Sequence, residues 1–298
     1  ELGVCKTPNK RCCKKSSVFS SQYEMIANTF IRAVFWIMSF LSIFGNSLVI
    51  YSAIKDFIYQ KNAACTEKCQ NWMVVNLAIS DILMGLFLLI ICIKGVHFSG
   101  SYCYHDIAWR SSTTCSSLGA LATLSTEASI MMMTVMTIYR ILAVYRPFLV
   151  RSMRVKWLVP PVLFVWLIAV LVAAIPLVKL PSGYFVTSVW YPNRFYRSEE
   201  NGYSTFIVTF NFILFMFIFV SYILIYKKGT KMKPQKDKSR KLQNKITRLI
   251  ITDFCCWIPI CLLAYISLGG VALNKIVYAV SAGLIFPINS ALNPLLYS

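Results

Sequence analysis

The chain has 298 residues, of which 57% are hydrophobic and 14% are charged, and its formal net charge is +19. Soluble proteins have about a quarter of their residues charged, so this composition argues against a soluble globular protein. The excess of Lys and Arg suits either nucleic acid or the inner surface of a membrane, and its distribution along the chain favours the membrane.

Seven long apolar runs follow one another along the chain, at residues 33–54, 71–93, 117–139, 157–178, 203–226, 249–268 and 276–297. None contains more than one Asp, Glu, Lys or Arg, and each has the roughly 20 residues that a helix needs to cross a bilayer. We therefore predict an all-α membrane protein. Residues 29–298 are expected to form a seven-transmembrane helix bundle, and residues 1–28 the remnant of an extracellular hinge from a longer protein.

The segments between the runs alternate in charge. Residues 55–70, 140–156 and 227–248 are rich in Lys and Arg, and the last segment has ten of them against one acid. The opposite segments, 94–116, 179–202 and 269–275, have two, three and one. Because basic loops stay on the cytoplasmic side, this pattern predicts an N-terminus outside the cell and no nucleic-acid partner.

Four ionisable residues interrupt the runs or border them. They are Asp81, Glu127, Arg140 and Asp253. Charged groups in a bilayer are costly and usually face the interior of a helix bundle. Each is therefore a candidate functional residue.

A polar network is expected around Asp81. Asn46, Ser129, Asn289 and Asn293 lie at a comparable depth, and oxygen ligands near a carboxylate suit a sodium ion or a proton. Hydrogen bonds that only hold the helices together are the alternative. For Asp81 both interpretations stay open, and for Asn46 the structural one is favoured.

The seventh run ends in the stretch INSALNPLLYS, which carries two amides and a proline. Pro294 removes one helical hydrogen bond, and Asn289 and Asn293 lie one turn apart on the same face, where they can reach Asp81. Tyr297 lies one turn further along. A second proline kinks the sixth run, and two kinked helices with a polar face indicate a bundle that rearranges.

Short motifs occur in the order seen in rhodopsin-like G-protein-coupled receptors: GNSLVI, NLAISD, a tryptophan in the fourth run, CWIP and NPLLY. Arg140 stands where that family has the arginine of its Asp/Glu-Arg-Tyr motif. The stretch LSTEAS, Asp253 and FPINSALNPLLYS most resemble the leucine-rich-repeat hormone receptors, and among them the relaxin-receptor branch.

This resemblance implies a multi-pass receptor of the plasma membrane that carries the binding of a peptide or protein hormone to a heterotrimeric G protein. It also implies a leucine-rich ectodomain, absent here. A peptide receptor without such an ectodomain is the alternative. The positions implied in coupling and activation are Arg140, Tyr139, Tyr222, Asn293, Pro294, Tyr297, Trp257, Pro259 and Asp253.

Tyr139 departs from the family pattern, because an acid usually precedes the arginine there. A neutral tyrosine cannot replace that charge-assisted hydrogen bond, so we expect high ligand-independent activity. The alternative is that Tyr139 lies among lipid headgroups as an aromatic anchor. Asp253 is expected to hold the sixth helix to the seventh, although simple packing is the alternative.

Cys115 also departs from the pattern. It matches a cysteine that the family usually bridges to the second outer loop, but residues 116–254 contain no cysteine. Cys103 lies in the same outer segment, and three further cysteines precede the first run. We therefore predict that Cys115 is bridged to Cys103 or to one of Cys5, Cys12 and Cys13.

Two other classes of function fit the sequence less well. A transporter or channel is disfavoured because the two halves of the chain show no internal repeat. An intramembrane enzyme is disfavoured because the two histidines, His97 and His105, both lie in an outer segment. No cofactor is expected, apart from the sodium ion considered at Asp81.

Overall fold

The computed structural model describes residues 20–59, 65–179, 198–229, 252, 254, 257–266 and 286–297. The regular structure of these residues is helical, without strands. The α-helices are α1 Thr29–Phe40, α2 Asn46–Tyr59, α3 Cys65–His97, α4 Tyr102–Arg110, α5 Thr113–Tyr145, α6 Pro147–Ser152, α7 Val159–Lys179, α8 Ser198–Gly229, α9 Trp257–Ile266 and α10 Phe286–Tyr297.

Five helical stretches among the described residues are long and apolar enough to cross a membrane: Thr29–Ile58, Cys65–His97, Thr113–Tyr145, Val155–Val178 and Thr205–Lys228. They coincide with the first five predicted runs and extend most of them. Helices α9 and α10 lie within the sixth and seventh runs, whose other residues are outside the described part. The prediction of an all-α transmembrane bundle is confirmed.

Helix starts are set by capping side chains. Asn28 accepts hydrogen bonds from the backbone N–H groups of Phe30 and Ile31 at the start of α1. Ser112 does the same for Cys115 at the start of α5. Each cap pairs backbone donors that a first helical turn leaves unsatisfied. At the other end of α5 the chain turns at Arg146, and Pro147 begins α6, where its missing N–H costs nothing.

The first membrane-spanning helix contains a π-helical turn, Leu41–Gly45, between α1 and α2. This turn makes close contacts with two other helices. A Cβ atom at Gly45 would lie 2.7 Å from Cβ of Pro294 in α10. A Cβ atom at Gly85 in α3 would lie 2.7 Å from Cγ1 of Ile43. Glycine is therefore needed at both positions because only hydrogen fits between the helices.

Helix α5 lies at the centre of the bundle, where it packs against α3, α7 and α8, while α3 also packs against α1 and α2. Two apolar cores result. An inner core includes Leu77 and Ile130, and an outer core includes Met84 and Ala122. Between these cores, α3 carries the buried polar residues Ser80 and Asp81, and α5 carries Thr123, Ser125, Thr126, Glu127 and Ser129.

Candidate functional site

The polar layer between the cores is centred on Asp81, which is fully buried. The Asn293 amide donates to Oδ2 of Asp81 at 2.7 Å. The Ser42 hydroxyl donates to the Asp81 carbonyl at 2.7 Å, and the Asn46 amide donates to the carbonyls of Ser42 at 2.8 Å and Ser290 at 3.1 Å. The layer thus joins the first helix, α3 and α10. Asn293 reaches Asp81 as predicted, and the contacts of Asn46 are those of a structural residue.

Several oxygen atoms in this layer make no hydrogen bond to any described residue. They are Asp81 Oδ1, Ser129 Oγ, Asn289 Oδ1, Asn293 Oδ1 and Asn46 Oδ1, and all are buried. One carboxylate with several neutral oxygens is a donor set that suits a hard cation. The residues present therefore fit the sodium ion considered from the sequence. No group of three His, Cys, Asp or Glu that could hold another metal occurs among the residues described.

A second buried polar pair joins α5 to α8. Glu127 is 1% exposed, and its Oε1 accepts a hydrogen bond from the Asn211 amide at 2.8 Å. Glu127 Oε2 and Asn211 Oδ1 make no further bond among the described residues. The sequence had marked Glu127 as a buried charge but not its partner. Asn211 was detectable as the lone amide in the middle of the fifth run.

Trp257, in the sixth run, packs against α8. Its ring stacks on that of Phe215, with centroids 5.5 Å apart, and it is buried at 6% exposure. Pro259 lies on the exposed side of α9. Asp253, which was expected to couple the sixth and seventh helices, lies outside the described residues.

Arg140 lies at the inner end of α5 and is only 7% exposed. Its Nη1 atom donates to the Tyr222 hydroxyl at 2.7 Å, and its guanidinium carbon lies 5.9 Å from the centre of the same ring. Tyr222 therefore gives Arg140 both an acceptor and an aromatic face. Both residues were named from the sequence, but their contact with each other was not predicted.

Tyr139 does not face lipid headgroups, so that alternative was wrong. The side chain is 3% exposed and packs in the inner core. Its hydroxyl donates to the carbonyl of Thr66, at the start of α3, over 3.4 Å. The position of Tyr139 on α5 turns it toward α3, and an anchor at the bilayer surface would have to point away from the bundle. Whether its neutrality raises ligand-independent activity stays a prediction.

Cys115 is not in a disulfide, so the predicted bridge from Cys115 to Cys103 or an N-terminal cysteine was wrong. Cys103 is disulfide-bonded, but its partner lies outside the described residues. The reason is helix α4, which the sequence did not predict. Cys103 is the second residue of this helix, from which the chain continues at about 1.5 Å per residue, and Cys115 lies buried in the outer core. A disulfide needs Cα atoms within about 7 Å.

Residues 20–28 pack on the outer end of the bundle. Met25 and Ile26 are 0% and 2% exposed, within the outer core. The N–H of Cys103 donates to the Gln22 carbonyl at 3.0 Å, and Glu24 forms a salt bridge with Arg32 at 2.9 Å. This part of the predicted hinge is therefore fixed to α4 and α1.

The helix order, the Asp81–Asn293 layer and the inner Arg140 coincide with a family match. The family model described as "7 transmembrane receptor (rhodopsin family)" matches residues 45–297. The chain belongs to this family. Rhodopsin-family members are receptors, so the interpretation as a receptor rather than an enzyme is confirmed, as is the multi-pass location in the plasma membrane.

Individual relatives agree with the resemblance seen in the motifs. The chain is 30% identical to relaxin receptor 1 of Rattus norvegicus over 98% of its length, and 29% identical to the human lutropin-choriogonadotropic hormone receptor over 100%. It is 28% identical to the G-protein coupled receptor GRL101 of Lymnaea stagnalis over 97%. The chain spans 39%, 42% and 26% of these three relatives. The predicted relation of this rhodopsin-family receptor to hormone receptors is thus confirmed.

Proposed function

We propose that this receptor domain carries the binding of an extracellular peptide or protein hormone to a heterotrimeric G protein at its inner face. The observation that carries the proposal is Arg140, a buried cation at the inner end of the central helix, held by Tyr222 of a neighbouring helix. A buried charge whose contacts include a side chain of a neighbouring helix can be presented to a partner when the helices move.

The hormone would be bound mainly by the part of the protein that precedes this chain. The named relatives include receptors for relaxin and for lutropin, and they are more than twice as long as the chain. The motif resemblance implies a leucine-rich ectodomain in that part. Residues 20–28 provide the connection, because they are fixed to the outer core through Met25 and to α4 through Gln22.

The contacts that would carry a conformational change from the middle of the bundle to its inner end lie along one face of α8. Asn211, Phe215 and Tyr222 are spaced four and seven residues apart, which places them on the same side of a helix. They contact Glu127, Trp257 and Arg140 in turn.

A rotation or shift of α8 would therefore change three contacts together, from the middle of the bundle to its inner end. Such a joint change gives two discrete arrangements rather than a gradual deformation.

The polar layer around Asp81 would set the balance between these arrangements. A sodium ion there would supply positive charge to the carboxylate and draw the surrounding oxygens together. Asn293, which already bonds Asp81, and Pro294, which packs against Gly45, would transmit any change to the end of α10. Tyr297 is the last residue of that helix.

The docking surface for the G protein would include α6, beside Arg140 in the chain. Phe148 in this helix is 82% exposed, and Arg146 before it is also exposed. An exposed aromatic ring beside a basic residue is typical of the anchor of a protein interface. Phe148 was not predicted from the sequence, although it lies between Arg146 and Arg151.

The test is nucleotide exchange on purified heterotrimeric G proteins by the receptor in lipid nanodiscs, without hormone and with a panel of Gα subunits. The parent should accelerate exchange by at least one Gα, and Arg140→Ala and Phe148→Ala should each reduce that rate at least tenfold. Lys55→Ala is the matched control, because Lys55 is an exposed inner-end cation on another helix. The proposal fails if no Gα responds to the parent, or if the control falls as far as Arg140→Ala.

A further inference from the structure

The connection between α5 and α7 carries an excess of positive charge. Residues 146–157 contain Arg146, Arg151, Arg154 and Lys156 and no acid. All four side chains are exposed. Both salt bridges found among the described residues lie at the outer end of the bundle, so they do not neutralise this charge.

The backbone of this connection is ordered by hydrogen bonds and by two buried side chains. The N–H of Met153 donates to the Val150 carbonyl at 3.2 Å, and that of Trp157 to the Arg154 carbonyl at 3.0 Å. Val150 and Leu158 are 2% and 6% exposed and hold the connection to the inner core. The cations therefore project from a fixed backbone, which lowers the entropy lost on binding a ligand.

The last part of the connection faces the lipid side of the bundle. Trp157 is 65% exposed and lies seven residues before Phe164 and fourteen before Leu171, both also exposed. Trp157 ends a 3-10 turn, Val155–Trp157, directly before α7. Phe164 and Leu171 lie seven residues apart on one face of α7, and an exposed apolar face of a membrane-spanning helix is the one that lipid covers. The Lys156 ammonium lies 5.7 Å from the centre of the Trp157 ring.

Exposed tryptophan at the end of a lipid-facing helix is typical of the headgroup level of a membrane. Arg and Lys at that level bind phosphate through charge-assisted hydrogen bonds.

We propose that Arg151, Arg154, Lys156 and Trp157 form a binding site for the headgroup of an anionic phospholipid of the inner leaflet. The cations hold the phosphate, and the tryptophan ring packs against the glycerol and the first acyl carbons. Arg154, Lys156 and Trp157 follow α6 and lie outside the proposed G-protein surface at Arg140 and Phe148, while Arg151 belongs to α6 itself. The lipid site needs no G protein for its occupation.

The test uses the purified full chain in neutral detergent, titrated with fluorescent phosphatidylserine and fluorescent phosphatidylinositol bisphosphate, with phosphatidylcholine as the neutral lipid. Each basic residue near a membrane surface contributes about a fivefold change in affinity. Arg154→Gln combined with Lys156→Gln should therefore weaken binding of the anionic lipids by roughly 25-fold. Phosphatidylcholine should bind the parent and the double variant equally weakly.

Lys55→Gln combined with Lys68→Gln is the matched control. It removes the same charge at the same inner level, but on α2 and α3. Weakening below about threefold is expected there, since a distant cation acts only through a screened field. An equal loss in both double variants would mean that general surface charge attracts the lipid, and it would overturn the site.

Two further measurements distinguish the lipid from the two other possible occupants of this site, a soluble phosphate compound and an acidic protein. The soluble headgroup, glycerophosphoinositol bisphosphate, should bind at least tenfold more weakly than the lipid; equal affinity would overturn the lipid assignment in favour of a soluble phosphate compound. If the Arg154→Gln/Lys156→Gln variant keeps full lipid affinity but loses nucleotide exchange, the surface belongs to an acidic protein partner and the proposal is wrong. Arg151→Gln alone, with an expected loss of about fivefold, repeats the test if the double variant is unstable.

Discussion

Replacing Gly45 by alanine tests the close approach of the first helix to α10. The added Cβ would lie 2.7 Å and 2.8 Å from two ring carbons of Pro294. A proline ring is tied to its backbone and cannot move aside, so the helices must shift. Overpacking of this kind costs about 1–3 kcal/mol, and alanine recovers at most about 1 kcal/mol of that cost through its helix propensity. Taking the middle of the first range, a net loss of about 1–2 kcal/mol is expected.

Gly95→Ala is the matched control. Gly95 is also helical, and it is buried, but a Cβ atom there would meet nothing within 4 Å. It should therefore leave stability unchanged or raise it by up to about 1 kcal/mol. The assay is thermal unfolding of the purified receptor in one detergent. At about 2–4 °C per kcal/mol for a large domain, Gly45→Ala should unfold about 2–8 °C below the parent. A Tm within 1 °C of the parent would refute the close approach.

Three other predictions concern the contacts of the bundle. Asn211→Ala leaves the buried Glu127 without its donor, so the free energy of unfolding should fall by about 1–3 kcal/mol; no fall in Tm would mean that Glu127 finds another donor. Tyr222→Phe removes the acceptor of Arg140 and should raise hormone-independent nucleotide exchange about tenfold, because a hydrogen bond to a charged group contributes about 1.5–3 kcal/mol. Tyr139→Phe is the control and should change the exchange rate less than twofold. A lower exchange rate for Tyr222→Phe would contradict this prediction and would mean that the Arg140–Tyr222 contact belongs to the signalling arrangement. In peptide mapping without reduction, Cys115 should be alkylated only after denaturation and Cys103 only after reduction; Cys115 in a mixed disulfide would contradict the structure.

The helical spans were predictable because the bilayer leaves a chain few choices. Without water, every backbone group in a span must bond within the protein, so an apolar run of about 20 residues becomes a helix. Asn289 and Asn293 could be named as candidate donors to Asp81 for a similar reason, although the sequence did not decide between them. A buried carboxylate needs a donor, and few polar side chains lie at its depth.

The rotation of each helix about its axis was not predictable. In a soluble protein the polar side of a helix marks the solvent, but here the lipid-facing and buried sides are both apolar. The direction in which Tyr139 points therefore could not be predicted from the sequence, and neither could the contact between Asn211 and Glu127. Helix α4 was not predicted because it has only nine residues, and these mix polar and apolar side chains without a clear pattern. The wrong prediction for Cys115 follows from that omission.

The polar layer also lies between two separate clusters of buried apolar side chains. Substitutions more than about 7–10 Å apart and without common partners act additively within about 0.5 kcal/mol, and this applies to well-separated pairs drawn from the two cores. The outer core can therefore diverge to suit a new extracellular partner while the inner core keeps its packing. Only substitutions in the layer itself, such as at Asp81 or Asn293, touch both halves at once. Substitutions that adapt the receptor to a new hormone can therefore accumulate independently of those that adapt it to a new intracellular partner.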